Sequence, residues 1–198
     1  MKIYDVSQEL ISCAVYPGDP EPKLQILASM DEGDPYNLTS LSMCSHNGTH
    51  VDAPRHFIKD GVTIAEMDLG SLVGYAYVAS AVGDIDADGA KEILKKAYSH
   101  GAEAAKRILI KGDATVTYEA AEAFYLGGVS LIGSETQSVG PVETPMEVHK
   151  LLLGNEIALL EGLRLSAVTD GMYFLCAAPI NVGIAEGAPC RALLIDFE

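Results

Sequence analysis

Three of the chain's five histidines fall within residues 45–57, which read SHNGTHVDAPRHF. His46, His50 and His56 share this stretch with Asp52, and Gly48, Thr49 and Pro54 stand among them. Neutral imidazole and carboxylate are the usual ligands of zinc and manganese, so these residue types point to divalent-metal chemistry. All four polar residues occupy even positions and would point to one side of an extended chain. A helix is disfavoured by Gly48, Thr49, Val51 and Pro54. A straight strand fails as well. At roughly 3.3 Å per residue, His46 and His50 would stand about 13 Å apart at Cα, too far to share one ion. The chain must curl, and Gly48 is the residue able to bend it. The plain alternative is a polar loop with surface histidines. So dense a group in a histidine-poor chain argues for the metal instead.

The elements that must position these residues alternate between strands and helices, which argues a single α/β domain over residues 1–198. Residues 1–13 read as a strand, with Asp5, Ser7 and Glu9 alternating against apolar positions. Residues 15–20, VYPGDP, are a turn by composition. Tyr16 within it is either a packed aromatic or a pocket wall. Strands are expected over 22–29 and through LTSLSMCS, which leads into the histidine stretch, with an acidic loop over 31–37 between them. Further strands are expected over 75–82, 107–111, 129–132, 156–160 and 191–196, and helices over 91–99 and 118–125. Asp84, Asp86 and Asp88 have a calcium-loop spacing but lack the matching glycine and glutamate, so they read as a solvated turn and helix N-cap. His100 and Gly101 close the first helix, and His100 reads as structural.

Residues 133–140, GSETQSVG, form a polar loop at the carboxyl end of a strand, where α/β proteins often build sites. Thr144, Pro145 and Glu147 read as N-cap, N1 and N3 of a capping box, starting a helix that carries His149 and stops near Gly154. Glu161 ends the next strand and interrupts an apolar run. An unpaired carboxylate would be costly there, and a bound cation would remove that cost. Residues 174–191, rich in Pro, Gly and Ala, read as loops and an edge segment.

The formal net charge of −15 argues against nucleic acid and anionic membrane as partners, since both need basic surface. Met1-Lys2-Ile3-Tyr4 begins no apolar run of signal-peptide length and no uninterrupted apolar stretch could span a bilayer, so a cytoplasmic protein is expected. Cys13, Cys44, Cys176 and Cys190 form no CxxC pair and are expected to be reduced and mostly buried.

The whole pattern resembles the cyclase family of metal-dependent hydrolases, which includes bacterial arylformamidases. The family signature H-x-G-T-H-x-D-x-P-x-H is matched at every fixed position by His46, Gly48, Thr49, His50, Asp52, Pro54 and His56. YDVS and VYPGDP resemble the family's opening, HKLLLGNEIALLEGL its later ligand segment, and APIN and EGAPCRALL its close. The resemblance implies a swivelling β/β/α domain, with a mixed sheet and a few flanking helices, usually in a homodimer or homotetramer. It implies two divalent ions, zinc or manganese. His46, His50 and Asp52 would hold one; Asp52, His149 and Glu161 would hold the other. His56 would be a proton shuttle rather than a ligand, and Tyr16 would stand against the substrate.

The activity so implied is hydrolysis of a small-molecule amide, first an aryl formamide such as N-formylkynurenine. A cyclic amide or ester is the alternative. A non-catalytic metal-binding relative is the third reading, and a histidine beside the ligands without a ligand role speaks against it. The chain departs from the family's G-x-D-T-x-S-V-D loop at Glu135 and Gly140, and it contains no tryptophan. Both regions, this loop and the place of the missing tryptophan at Tyr16, are expected to face the organic part of the substrate.

Overall fold

The computed structural model describes residues 1–142 and 144–197. Its strands, in chain order, are β1 (Lys2–Asp5), β2 (Lys23–Ala28), β3 (Leu38–Ser42), β4 (His50–Asp52), β5 (Val73–Ser80), β6 (Gly83–Ile85) and β7 (Arg107–Lys111). They continue with β8 (Ala114–Val116), β9 (Leu131–Ser134), β10 (Ala158–Glu161), β11 (Gly171–Cys176), β12 (Gly187–Pro189) and β13 (Leu193–Asp196). The helices are α1 (Leu69–Leu72), α2 (Ala87–His100), α3 (Ala102–Ala105), α4 (Tyr118–Leu126) and α5 (Pro145–Gly154).

Nine strands form one mixed sheet in the order β1-β13-β11-β5-β7-β9-β10-β4-β12. The centre, β5-β7-β9-β10, is parallel, and both flanks are antiparallel. Parallel strands need covered faces and read as near-continuous apolar runs, as Arg107–Lys111 (RILIK) does. Helices α2, α4 and α5 cover one face through Ile93, Leu94, Phe124, Leu152 and Leu153, packed on Ile108, Ile110, Ile132 and Leu159. On the other face, Val51 and Ala188 from one end of the sheet share a core with Leu175 and Leu194 from the other end. The sheet therefore curls over itself, giving the β/β/α layering expected from the motif resemblance.

Four expectations are corrected. The first strand spans only Lys2–Asp5, because the Glu9 carboxylate accepts from the amides of Ile11 and Ser12 and closes a turn. Residues 171–176 form β11, an interior strand between β5 and β13, where loops were expected from residue 174 onward. Thr144 and Pro145 do begin α5, but the Thr144 side chain makes no capping hydrogen bond, so the capping box is not formed. Asp86 does cap α2 by accepting from Gly89 N, and His100 ends that helix with its ring against Tyr77. All four cysteines are free and half-buried rather than buried.

Candidate metal centre

Gly48, at φ 70°, turns the chain just before β4. The turn sends its carbonyl back toward His50, whose Nδ1–H donates to it at 3.0 Å. That bond fixes the tautomer and leaves Nε2 as a free donor atom for a cation. His50 and Asp52, two apart on β4, share one face. β10 runs antiparallel beside β4 with Glu161 opposite His50, so the second carboxylate joins the same face. Helix α5 covers that face. His149 belongs to its buried stripe with Val148, Leu152 and Leu153. The His149 Nδ1–H donates to the Pro145 carbonyl at 2.8 Å, one turn back, so its Nε2 also points inward.

His46 reaches the group from the preceding loop. On the far side of β4, Gly187 of β12 pairs with Asp52. A Cβ at Gly187 would stand 2.7 Å from His46 Cε1, so the imidazole occupies the space a side chain would take. His46 Nδ1 donates to Asp52 Oδ1 at 2.8 Å. Its Nε2 is buried and comes within 3.3 Å of Glu186 Oε1 without forming a hydrogen bond.

The spacings fit shared cations. Two ligands each about 2.0–2.1 Å from a tetrahedral ion stand about 3.4 Å apart. His50 Nε2 lies 3.4 Å from Asp52 Oδ1 and 3.5 Å from Glu161 Oε2. His149 Nε2 lies 3.2 Å from Glu161 Oε1 and 3.9 Å from Asp52 Oδ2. Two overlapping groups result, His46-His50-Asp52 and Asp52-His149-Glu161, with Asp52 common to both. The donor set is wholly nitrogen and oxygen, which suits zinc or manganese. The five residues that the resemblance implies as ligands thus lie together, close enough to share cations.

Asp52 and Glu161 are buried, and burial alone would push both carboxyls up. The neighbouring histidines outweigh it and hold both below the usual range. Burial likewise opposes the charge on His50, yet hydrogen bonds to Asp52 and Glu161 carry its imidazole up to about 10. His46 and His149 are raised against the same burial cost by Asp52 and Glu161 respectively. Cation binding at such a cluster would displace its protons, because the ligand forms are deprotonated imidazoles.

His56 ends a 3₁₀ turn, Pro54–His56, that follows β4. Its ring stacks on His46 at 4.1 Å between centroids, tilted by 31°, and meets Phe57 edge-on. It belongs to neither ligand group. Burial holds its imidazole below the ordinary value. His46, His50, His56, His149 and Glu161 open onto a cavity of about 250 Å³, whose other walls are Tyr16, Asp19, Phe57, Gln137, Ser138 and Pro145. Tyr16 is therefore a pocket residue; its hydroxyl donates to the Val142 carbonyl at 3.4 Å.

Both regions that depart from the family pattern reach this cavity, through Tyr16 and through Gln137 and Ser138, but the substituted residues Glu135 and Gly140 do not line it. The Glu135 carboxylate accepts from Gly112 N at 2.7 Å and Leu165 N at 2.6 Å, tying its loop to two others. Gly140 packs against Val148 of α5, where a Cβ would meet Val148 Cβ at 3.0 Å. Sequence reasoning missed Glu186, which accepts from Ser45 Oγ at 2.5 Å and approaches His46. It placed Gln137 in a candidate loop but gave neither Gln137 nor Ser138 a role. Their side-chain Oε1 and Oγ are buried at the cavity without a hydrogen-bond partner, an arrangement that costs on the order of 1–3 kcal/mol per group unless a ligand or water satisfies it. The one sequence signal for them was the polar loop at a strand's carboxyl end.

A curled mixed sheet with an imidazole-carboxylate cluster on its helix-covered face defines a metal-dependent hydrolase. The Cyclase family model matches residues 4–141, and the chain belongs to that family. It is 34% identical to kynurenine formamidase of Erythrobacter litoralis, over 99% of this chain and 94% of that protein. It is 33% identical to kynurenine formamidase of Bacillus anthracis, over 98% and 97%. Among solved structures, one described as a potential metal-dependent hydrolase with cyclase activity superposes with a TM-score of 0.82 at 26% identity, covering 100% of this chain and 98% of that one. Isatin hydrolase A from Labrenzia aggregata shares the fold, with a TM-score of 0.83 at 21% identity over 100% and 94%.

Proposed function

We propose that this chain hydrolyses the formyl C–N bond of an aryl formamide, with N-formylkynurenine, giving kynurenine and formate, as the first candidate. The observation that carries the reading is His56. It is a half-buried imidazole outside both ligand groups, held at the mouth of the cluster against His46. The relatives named kynurenine formamidase support the substrate.

In this reading His46, His50 and Asp52 would hold one divalent ion and Asp52, His149 and Glu161 a second, zinc or manganese. When bound, the ions supply Lewis-acid polarisation of the amide carbonyl and a lowered pKa for water. His56, kept neutral by burial, accepts a proton from the attacking water and delivers it to the departing nitrogen. Tyr16 and Phe57 offer flat walls to an aryl group. The test is formate release from N-formylkynurenine by the metal-loaded protein, abolished by a chelator and restored by zinc or manganese. Absence of formate, together with ring opening of isatin, would replace this reading with cyclic-amide hydrolysis.

The working unit in this proposal is a homodimer, alone or within a homotetramer. Strands β2 and β3 form a separate two-stranded ribbon exposing Leu24, Ile26, Leu27, Leu38 and Leu41. Such a ribbon is marginal alone in water, and a second copy would cover its apolar side chains. Light scattering at twice the 21.0 kDa chain mass or a multiple of that is expected; a monomer mass would overturn it.

A further inference from the structure

We infer that Gln137 and Ser138 form a specificity clamp for a second, donor-bearing nitrogen group on the substrate, beyond the amide that reacts. The inference rests on reading the site as an amidase. Gln137 Oε1 and Ser138 Oγ are buried, unpartnered within the protein, and part of the same cavity wall as His56 and Glu161. Ser138 as a whole is only 4% exposed.

The loop that carries them is tied down at several points. Thr136 Oγ1 donates to the Ser138 carbonyl at 2.7 Å. Gly162 N donates to the Thr136 carbonyl at 2.9 Å, and Val116 N to the Val139 carbonyl at 2.9 Å. Val139 N donates to Glu161 Oε1 at 2.8 Å, locking the loop to the metal cluster itself. The Glu135 carboxylate holds the loop's other end. These bonds hold the backbone at the cavity wall, and with it the two unpartnered side-chain oxygens, which are available as acceptors for a ligand.

Their chemistry selects the ligand. A carboxamide oxygen accepts, and a serine hydroxyl can accept as well as donate. Asp19 stands in the same wall and favours positive charge, and none of the lining residues among those described is lysine or arginine. An amine or ammonium therefore fits the clamp. A carboxylate in the same place would meet acceptors and an acidic side chain.

The test uses three para-substituted formanilides with the metal-loaded protein: unsubstituted, aminomethyl and carboxymethyl. The wild type should rank them aminomethyl, unsubstituted, carboxymethyl in kcat/KM. In Gln137→Leu and Ser138→Ala, the ratio of kcat/KM for aminomethyl over unsubstituted should fall roughly tenfold, the effect of losing one hydrogen bond to a charged group. The loss should lie mainly in KM, with metal content unchanged by elemental analysis. An unchanged ratio, or a wild type that prefers the carboxymethyl compound, overturns the clamp. If no formanilide is hydrolysed, the amidase reading fails separately. Calorimetric binding of the corresponding anilines then decides the clamp: a preference for the aminomethyl aniline that Gln137→Leu abolishes supports it, and equal binding overturns it.

Discussion

His50 and Glu161 face each other across an antiparallel ladder, with His50 Nε2 3.5 Å from Glu161 Oε2. Their pairing joins two segments more than a hundred residues apart into one cluster. It also fixes the face on which chemistry can occur, because Val51 and Leu160, one residue along on each strand, point into the opposite core. A slip of one residue would bury the ligands on the wrong side of the sheet.

Asp52→Ala should lose both metal and turnover, because Asp52 is the carboxylate common to both ligand groups. It would also leave His46 and His50 without their closest acidic partner. Metal per chain, measured by elemental analysis after dialysis, should fall to near zero. Full occupancy with normal turnover would show that Asp52 is not a ligand.

His56→Ala should behave oppositely. The ring stacks on His46 but belongs to neither ligand group. Metal content should stay, and kcat should fall on the order of 10²–10⁴-fold. Burial holds the His56 imidazole below the ordinary 6.5. A bound cation pushes it the same way. The acid limb of the wild-type pH-rate profile should therefore lie below pH 6.5 and vanish in the variant. Metal loss in His56→Ala would make it a ligand.

Much of this site was legible because its core is local. The even spacing of His46, His50, Asp52 and His56, and the need for a bend at Gly48, follow from strand geometry alone. Helix α5 and the strand ending at Glu161 were legible as elements. Their meeting was not, because register between distant strands leaves no periodic trace in either one. β11 was hidden by the Pro- and Gly-rich residues that follow it; its order comes from β5 and β13 on either side. Glu135 illustrates a subtler limit. Its position in the loop suggested a substrate contact, while its carboxylate turns away to cap two amides. Gly187 was equally silent, since nothing in a sequence reveals that a missing Cβ makes room for an imidazole.

Gly187→Ala tests that last point. The new Cβ would stand 2.7 Å from His46 Cε1 and 3.0 Å from the Val51 carbonyl oxygen. The backbone side cannot yield without breaking the β4–β12 ladder, so the ring must move. Metal affinity should fall tenfold or more, in the range of other changes that disturb ligand orientation. The thermal midpoint of the metal-stripped protein should change far less. Wild-type affinity in this variant would mean that His46 is not held where it matters.

Removing metal should make stability depend on pH in a defined direction. His50 is raised from 6.5 to about 10 in the folded chain. Its contribution is therefore complete below pH 6.5 and is lost as pH climbs toward 10. Asp52 and Glu161 are depressed, so their contribution is present above their unfolded values of 3.8 and 4.5 and fades on acidification. The stripped protein should thus be most stable between about pH 4.5 and 6.5 and should weaken steadily to pH 10. Metal replaces the departing protons, so the loaded protein should lose less over that alkaline range. Urea midpoints at pH 6, 8 and 9.5, with and without chelator, measure this. A gap that does not widen with pH would rule out exchange of protons for metal at the cluster.

Tyr16 decides whether the organic half of the substrate is aromatic. It stands in the wall of the cavity onto which the cluster residues open, in a turn closed by the Asp19 amide donating to the Tyr16 carbonyl at 3.0 Å. Its hydroxyl reaches Val142, which orients the ring without consuming its face. Phe57 is the other aromatic wall, so a flat group entering the cavity could meet two rings. Loss of one such contact is worth about 0.5–1.5 kcal/mol beyond burial, or roughly two- to tenfold in affinity. Tyr16→Ala should therefore raise KM for an aryl formamide by at least that factor and leave KM for a small aliphatic formamide less affected. The aliphatic compound is too small to reach the ring, so its kcat should report an intact metal centre in the same variant. If both substrates suffer equally, or if the wild type prefers the aliphatic one, Tyr16 only packs the turn. The aryl assignment would then lose its main support in this chain.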